Sequence, residues 1–156
     1  PASIVRSLGA DGQCKADWNP SEHAQLSLLA NARYRHITGD RPDFATINAA
    51  DFDYGFSAIV DLPLSLQLST SLVAYAHRGY EAQEMNTTQC IWNVELSRKL
   101  CRGQLLLAIK AFDILGQLKN QSFHVDAQGR TETWHNAIPR YAMISLAWRF
   151  NANPKR

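Results

Sequence analysis

The side chains best suited to chemistry are scattered along this chain. His124, Asp126, Glu132 and His135 are all metal-ligand types within one short stretch. A site built on one element needs its ligands to return to one face, as in H-E-x-x-H on a helix. These four have no such spacing, and the stretch has the composition of a polar loop. Ser97 and Ser145 lack the G-x-S-x-G elbow that lifts a serine nucleophile out of a sheet. No glycine-rich run cradles a phosphate, and Gly39-Asp40-Arg41 is turn chemistry. Cys14, Cys90 and Cys101 are an odd, widely spaced set that suits neither zinc nor a disulfide framework. They are expected as unpaired packing residues. The expectation is no catalytic residue, no metal and no cofactor.

Another set of charges lies at regular places. Arg33, Arg35, Asp53, Glu95 and Lys110 each sit inside an alternation of apolar and polar residues. The clearest case is 64–77. Leu64, Leu66, Leu68, Thr70, Leu72, Ala74 and Ala76 alternate there with Ser65, Gln67, Ser69, Ser71, Val73, Tyr75 and His77, one set nearly all apolar and the other mostly polar. A strand turns successive side chains to opposite faces, so this pattern makes one greasy surface and one wet one. The split recurs in 25–36 (Leu26, Leu28, Ala30, Ala32, Tyr34), with Leu29 as an exception, and in 51–62 (Phe52, Tyr54, Phe56, Ala58, Val60, Leu62). It recurs again in 89–97 (Cys90, Trp92, Val94, Leu96) and 141–150 (Ala142, Ile144, Leu146, Trp148, Phe150), and more weakly in 8–18. Residues 104–114 break strict alternation at Leu105, Leu106 and Leu107 and could form a short amphipathic helix. Their neighbours favour a strand.

The chain is therefore expected to be all-β, an antiparallel meander of about seven long strands. Each strand approaches the ~9–11 residues of a membrane-crossing strand rather than the ~5–6 of a soluble one. Of 156 residues, 46% are hydrophobic, yet no apolar run reaches the ~18 residues of a membrane helix. That excludes a helical membrane protein but not a barrel, whose lipid face uses every second residue. The net charge of +2 and the scattered basic residues point away from nucleic acid. The chain opens on Pro1 with no charged and apolar leader. It is expected to be one partial domain, 1–156, cut from a longer protein.

Loop lengths add a second signal. Connections at 19–23, 62–65 and 100–103 are short, whereas 37–50, 78–88 and 115–139 are long. Transmembrane barrels have short periplasmic turns and longer extracellular loops. Trp18, Leu62, Leu100 and Phe150 then fall at the periplasmic rim. Tyr34, Phe52, Tyr54 and Trp92 fall toward the upper aromatic girdle. Arg33, Arg35, Asp53, Glu95 and Lys110 face the lumen, where the two arginines could pair with Asp51, Asp53 or Glu95.

The last strand, Arg140-Tyr141-Ala142-Met143-Ile144-Ser145-Leu146-Ala147-Trp148-Arg149-Phe150, resembles the C-terminal signal read by the barrel-assembly machinery. Tyr141, Ile144, Leu146, Trp148 and Phe150 would carry it, although residues 151–156 follow the final aromatic. Such a strand can add to an open sheet edge through its backbone. With the stretches ARYRHITGDRP, INAADFDYGFSAIVDLPLSLQLSTSL, HRGYEAQEMNTTQCIWNVELSRKL, FDILGQL and QGRTETWHNAIPRYAMISLAWRFN, the chain resembles the C-terminal portion of Bacteroidetes-type outer-membrane β-barrel proteins, relatives of the TonB-dependent receptors. The resemblance implies a plugged barrel of ~22 strands in the Gram-negative outer membrane, serving nutrient uptake. It implies as partners the membrane lipid, the plug and remaining strands, the assembly machinery, the TonB complex and a surface lipoprotein. Two rivals are a soluble lipocalin-type barrel that binds a small ligand and a small barrel enzyme or adhesin. The first would put Leu66, Leu68 and Leu72 inside and Arg33, Glu95 and Lys110 in water.

Overall fold

A computed structural model describes residues 4–40, 46–81, 83–119, 121–126, 129–136 and 138–150, without the side chains of 121–126, 129 and 130. Among these the chain is all-β. Its strands are β1 (Val5–Ser21), β2 (Ala24–Gly39), β3 (Ile47–Leu62), β4 (Leu66–Arg78), β5 (Thr88–Leu100), β6 (Leu105–Phe112), β7 (Gln121–Asp126), β8 (Gly129–Trp134) and β9 (Tyr141–Trp148). Seven of them form one antiparallel sheet in the order β1-β2-β3-β4-β5-β6-β9. The sheet does not close, so β1 and β9 are its two edges.

The ambiguous stretch 104–114 is a strand at Leu105–Phe112. Its pairing with β5 and β9 overrides the local helical pattern, as tertiary context commonly does. Three details depart from the sequence reading, the first being that the connection expected at 37–50 is only 40–46, because β2 continues to Gly39 and β3 begins at Ile47. The strand expected from Leu64 begins at Leu66, because Leu64 and Ser65 take positive φ (64° and 59°) in the turn after Pro63. The span 115–139, expected as a loop throughout, contains the β7–β8 hairpin as a separate two-stranded sheet. Neither of its short strands carries the long alternation that marked the others. Residues 41–45 of that first long connection and residues 151–156, which follow the final aromatic, lie outside the described residues.

Apart from a register shift between Trp18 and Ser21 in the β1–β2 pair, continuous register carries the alternation of each strand across the sheet. On one face run rows such as Ala16–Leu28–Phe56–Leu72–Trp92 and Val60–Leu68–Leu96–Ile109–Ile144. On the other run Asp11–Arg33–Asp51–His77 and Asp17–Ser27–Ser57–Ser71–Asn93. The exceptions to alternation also line up. Leu29, Gly55, Val73 and Ile91 form a single row across the polar face. Gly55 leaves room there, since a Cβ on it would lie 3.3 Å from the Leu29 Cβ.

Little of this surface is buried. The few buried residues are small or scattered, including Ile37, Ala49, Ala58, Met85 and Ala108, and among the described residues no large side chain is fully enclosed. A compact monomer of this mass exposes roughly 7,900 Å² by the usual size scaling. This chain exposes 11640 Å². Backbone pairing therefore holds the sheet together, and among the described residues no second layer packs against either face to form a core.

Candidate functional site

The polar face carries charges along its length, and one hydrogen-bonded group of them lies toward the end that carries the long connections. The centre of the group is Asp51 on β3. His77 Nδ1, from the neighbouring strand, lies 2.7 Å from Asp51 Oδ1. The Tyr80 hydroxyl donates to the same carboxylate, 2.9 Å from Oδ1 and 3.0 Å from Oδ2. His77 and Tyr80 meet edge-on, with ring centroids 6.4 Å apart. Tyr80 belongs to the connection between β4 and β5. Partial burial, and then the neighbouring carboxylate, push its phenol up to about 12. It therefore remains a donor at any physiological pH.

The Tyr80 bond helps hold this connection against the sheet. Gly79 turns the chain with φ +78°, and a Cβ there would lie 1.9 Å from the Asn48 carbonyl oxygen. Only glycine fits that approach and that backbone conformation together. Beyond it, the Tyr80 N–H donates to Asn86 Oδ1 (2.9 Å) and the Asn86 amide donates to the Tyr80 carbonyl (2.7 Å), closing the connection on itself. Arg78 donates to the carbonyls of His77 and Thr87 and to Thr88 Oγ1.

The five charged residues singled out from sequence all lie on this face, and the ion pairs of Arg33 and Glu95 differ from those expected. Arg33 sits in register between Asp11 and Asp51, and its Nε reaches Asp11 Oδ1 at 3.2 Å. Asp11, on the weakest of the sequence-read strands, was not among the anticipated partners. Glu95 pairs with Lys110 at 2.9 Å and not with an arginine, because β6 places Lys110 directly opposite it. Arg35 lies on the same face, between Gly9 and Ala49. Asp53 lies between Asn31 and Tyr75, and with Asp11, Arg33 and Asp51 it lines an open groove of about 330 Å³. A second groove of about 200 Å³ lies beside Glu95 and Lys110. Both are lined by polar and charged side chains able to hydrogen-bond a hydrated solute.

Sequence reading overlooked His77, Tyr80 and Asp113 as organising residues. Alternation marked His77 as polar but could not show which carboxylate it meets. Asp113 is almost completely buried, and its carboxylate accepts the backbone N–H groups of Gln117 and Leu118, each at 3.0 Å. Phe-Asp-Ile-Leu-Gly at 112–116 is a turn-forming run in which Asp can cap nearby amides, and that was the available signal.

The apolar face is the other candidate surface. Leu28, Ala30, Tyr54, Phe56, Leu72 and Ala74 line a groove of about 420 Å³ on it. Its polar tips are occupied: the Trp92 indole N–H donates to Thr70 Oγ1 (2.9 Å) and the Tyr34 hydroxyl to Asn48 Oδ1 (3.2 Å). Of the proposed assembly-signal residues, Ile144, Leu146 and Trp148 share this face, whereas Tyr141 stands on the opposite one and stacks on Phe112 at 4.5 Å. Phe150 follows the strand and stacks on Trp148, with centroids 6.0 Å apart.

No family model, curated protein or solved structure matches this chain. Function is therefore argued from geometry. Among the described residues no cluster of three His, Cys, Asp or Glu could hold a metal ion. Glu132 lies on β8 and His135 just past it, and the side chains of His124 and Asp126 lie outside the described set. The described cysteines are free: Cys14 and Cys101 are exposed and Cys90 is half-buried.

Proposed function

We propose that this chain forms part of the wall of a Gram-negative outer-membrane β-barrel of the TonB-dependent-receptor type, with a passage or scaffolding role in nutrient uptake and no catalysis of its own. The observation that carries the reading is the sorting of the faces. Leu28 is 56% exposed, Ile144 73% and Trp148 50%, on a continuous apolar face with nothing packed on it. A soluble monomer seldom leaves such a contiguous apolar surface open. Hydrocarbon is the solvent that matches it. The opposite face, with its charges in ion pairs, would line the water-filled or plugged interior.

Topology supports the same reading. Seven antiparallel strands leave β1 and β9 running in the same direction. Closure by antiparallel pairing requires at least one further strand, and bacterial single-chain barrels use even numbers. The partners in this reading are membrane lipid, the remaining strands and plug, and the assembly machinery that meets β9. A TonB complex and a surface lipoprotein complete the set.

Single-cysteine labelling along β4 of the full-length protein in its membrane tests this. Positions 68 and 72 should react with a lipid-soluble maleimide, and positions 67 and 71 with a membrane-impermeant one. Water access at 68 and 72 would exclude lipid contact. Replacing Arg33 and Arg35 in the intact barrel tests passage. Reduced stability with unchanged uptake kinetics would leave them a structural role only.

A further inference from the structure

Of the arginines on the apolar face, Arg6 and Arg78 lie toward the long connections and Arg98 lies among leucines at the other end. Arg98 on β5 lies in register between Leu66 of β4 and Leu107 of β6, in the row Leu62–Leu66–Arg98–Leu107–Leu146. The adjoining row toward the short-turn end is Leu100–Leu105–Trp148. The side chain of Arg98 is exposed, and no described residue forms an ion pair or hydrogen bond with it. Arg78, the other arginine on this face of β4 and β5, spends its guanidinium on the carbonyls of its own connection.

A guanidinium among leucines on a lipid-facing wall is costly at the bilayer midplane and nearly neutral at the interface. It reaches the interface by laying its methylenes along the apolar surface and its charge at headgroup depth. Trp148, one row away and stacked on Phe150, supplies an independent depth marker, because aromatic side chains collect at that level. The planar fork of five N–H donors suits a phosphate diester.

We propose that Arg98 is a binding site for the phosphate of an anionic phospholipid headgroup at the short-turn rim. This inference rests on the membrane reading. Its occupant is a bilayer lipid, because the site opens onto the apolar face and not onto the polar one.

The test uses the full-length protein reconstituted in phosphatidylcholine vesicles with and without phosphatidylglycerol. Quenching of protein tryptophans by brominated forms of each lipid measures their relative association. Phosphatidylglycerol should be preferred. Arg98→Gln should weaken that preference about fivefold, the scale of one cation near a charged surface, and Arg98→Lys should retain most of it. Lys99→Gln, one residue away on the opposite face, should change nothing. A full preference in Arg98→Gln overturns the site and leaves the membrane reading standing. A wild-type protein that fails to co-float with either vesicle overturns both.

Discussion

The two faces of the sheet share one backbone and one register, yet they are built on opposite terms. On the polar face side chains find each other: Arg33 with Asp11, Lys110 with Glu95, and His77 and Tyr80 with Asp51. On the apolar face they find almost nothing, and Ile144, Leu146 and Trp148 stand open. The contrast shows that one face completes its interactions within the chain, while the other depends on its surroundings. A soluble protein would place its unsatisfied side inward. In the membrane reading proposed above, lipid takes that place.

The sharpest way to break this contrast is to exchange the faces' chemistry at one position. Leu72→Arg, mid-row on the apolar face, should destabilise the membrane-inserted protein by about 2–4 kcal/mol, whereas Ser71→Arg on the polar face should cost under about 1 kcal/mol. Equilibrium unfolding in vesicles measures both, and equal costs would erase the distinction. The next effect concerns how the polar face holds its connection. Gly79→Ala puts a methyl group against the Asn48 carbonyl at positive φ and should cost about 2 kcal/mol. It should be read as faster amide exchange at Tyr80 and Asn86.

Tyr80→Phe removes only the two contacts to Asp51 and should cost about 1.5 kcal/mol, the value of a hydrogen bond to a charged group. Because the phenol titrates near 12 in place of about 10, its contribution is complete below pH ~10 and lost as pH rises toward 12. Phenolate absorbance should show one fewer late-titrating tyrosine in Tyr80→Phe than in the wild type. Loss of the bond at neutral pH would contradict the geometry. The smallest effect lies in the turn after Pro63. Leu64 and Ser65 hold left-handed conformations that side chains disfavour, so Ser65→Gly should stabilise by about 0.5–1 kcal/mol, measured as a shifted unfolding midpoint.

Most of the sheet strands could be read from sequence because alternation along a strand is a local property, whereas β6 broke the alternation and was assigned only from its neighbours. Leu66 to Ala76 and Phe52 to Leu62 declare their faces without help from any neighbour. The β7–β8 hairpin could not be read that way, since strands of six residues carry too few alternations to stand out from a loop. The candidate site was half legible. Arg33, Arg35, Asp53, Glu95 and Lys110 were visible as charges on one face, but the Asp11 and Lys110 pairings were not.

By itself, the order of residues determined which side chains share a face, because the pleat alternates whatever the partner strand. Only the tertiary structure decided which residues stand opposite one another. Register depends on turn geometry and on the pairing of whole strands, and a slip of one position would send every side chain to the other face. Register therefore aligned Leu29, Gly55, Val73 and Ile91 in one row, brought His77 and Tyr80 to Asp51, and left Arg98 among leucines.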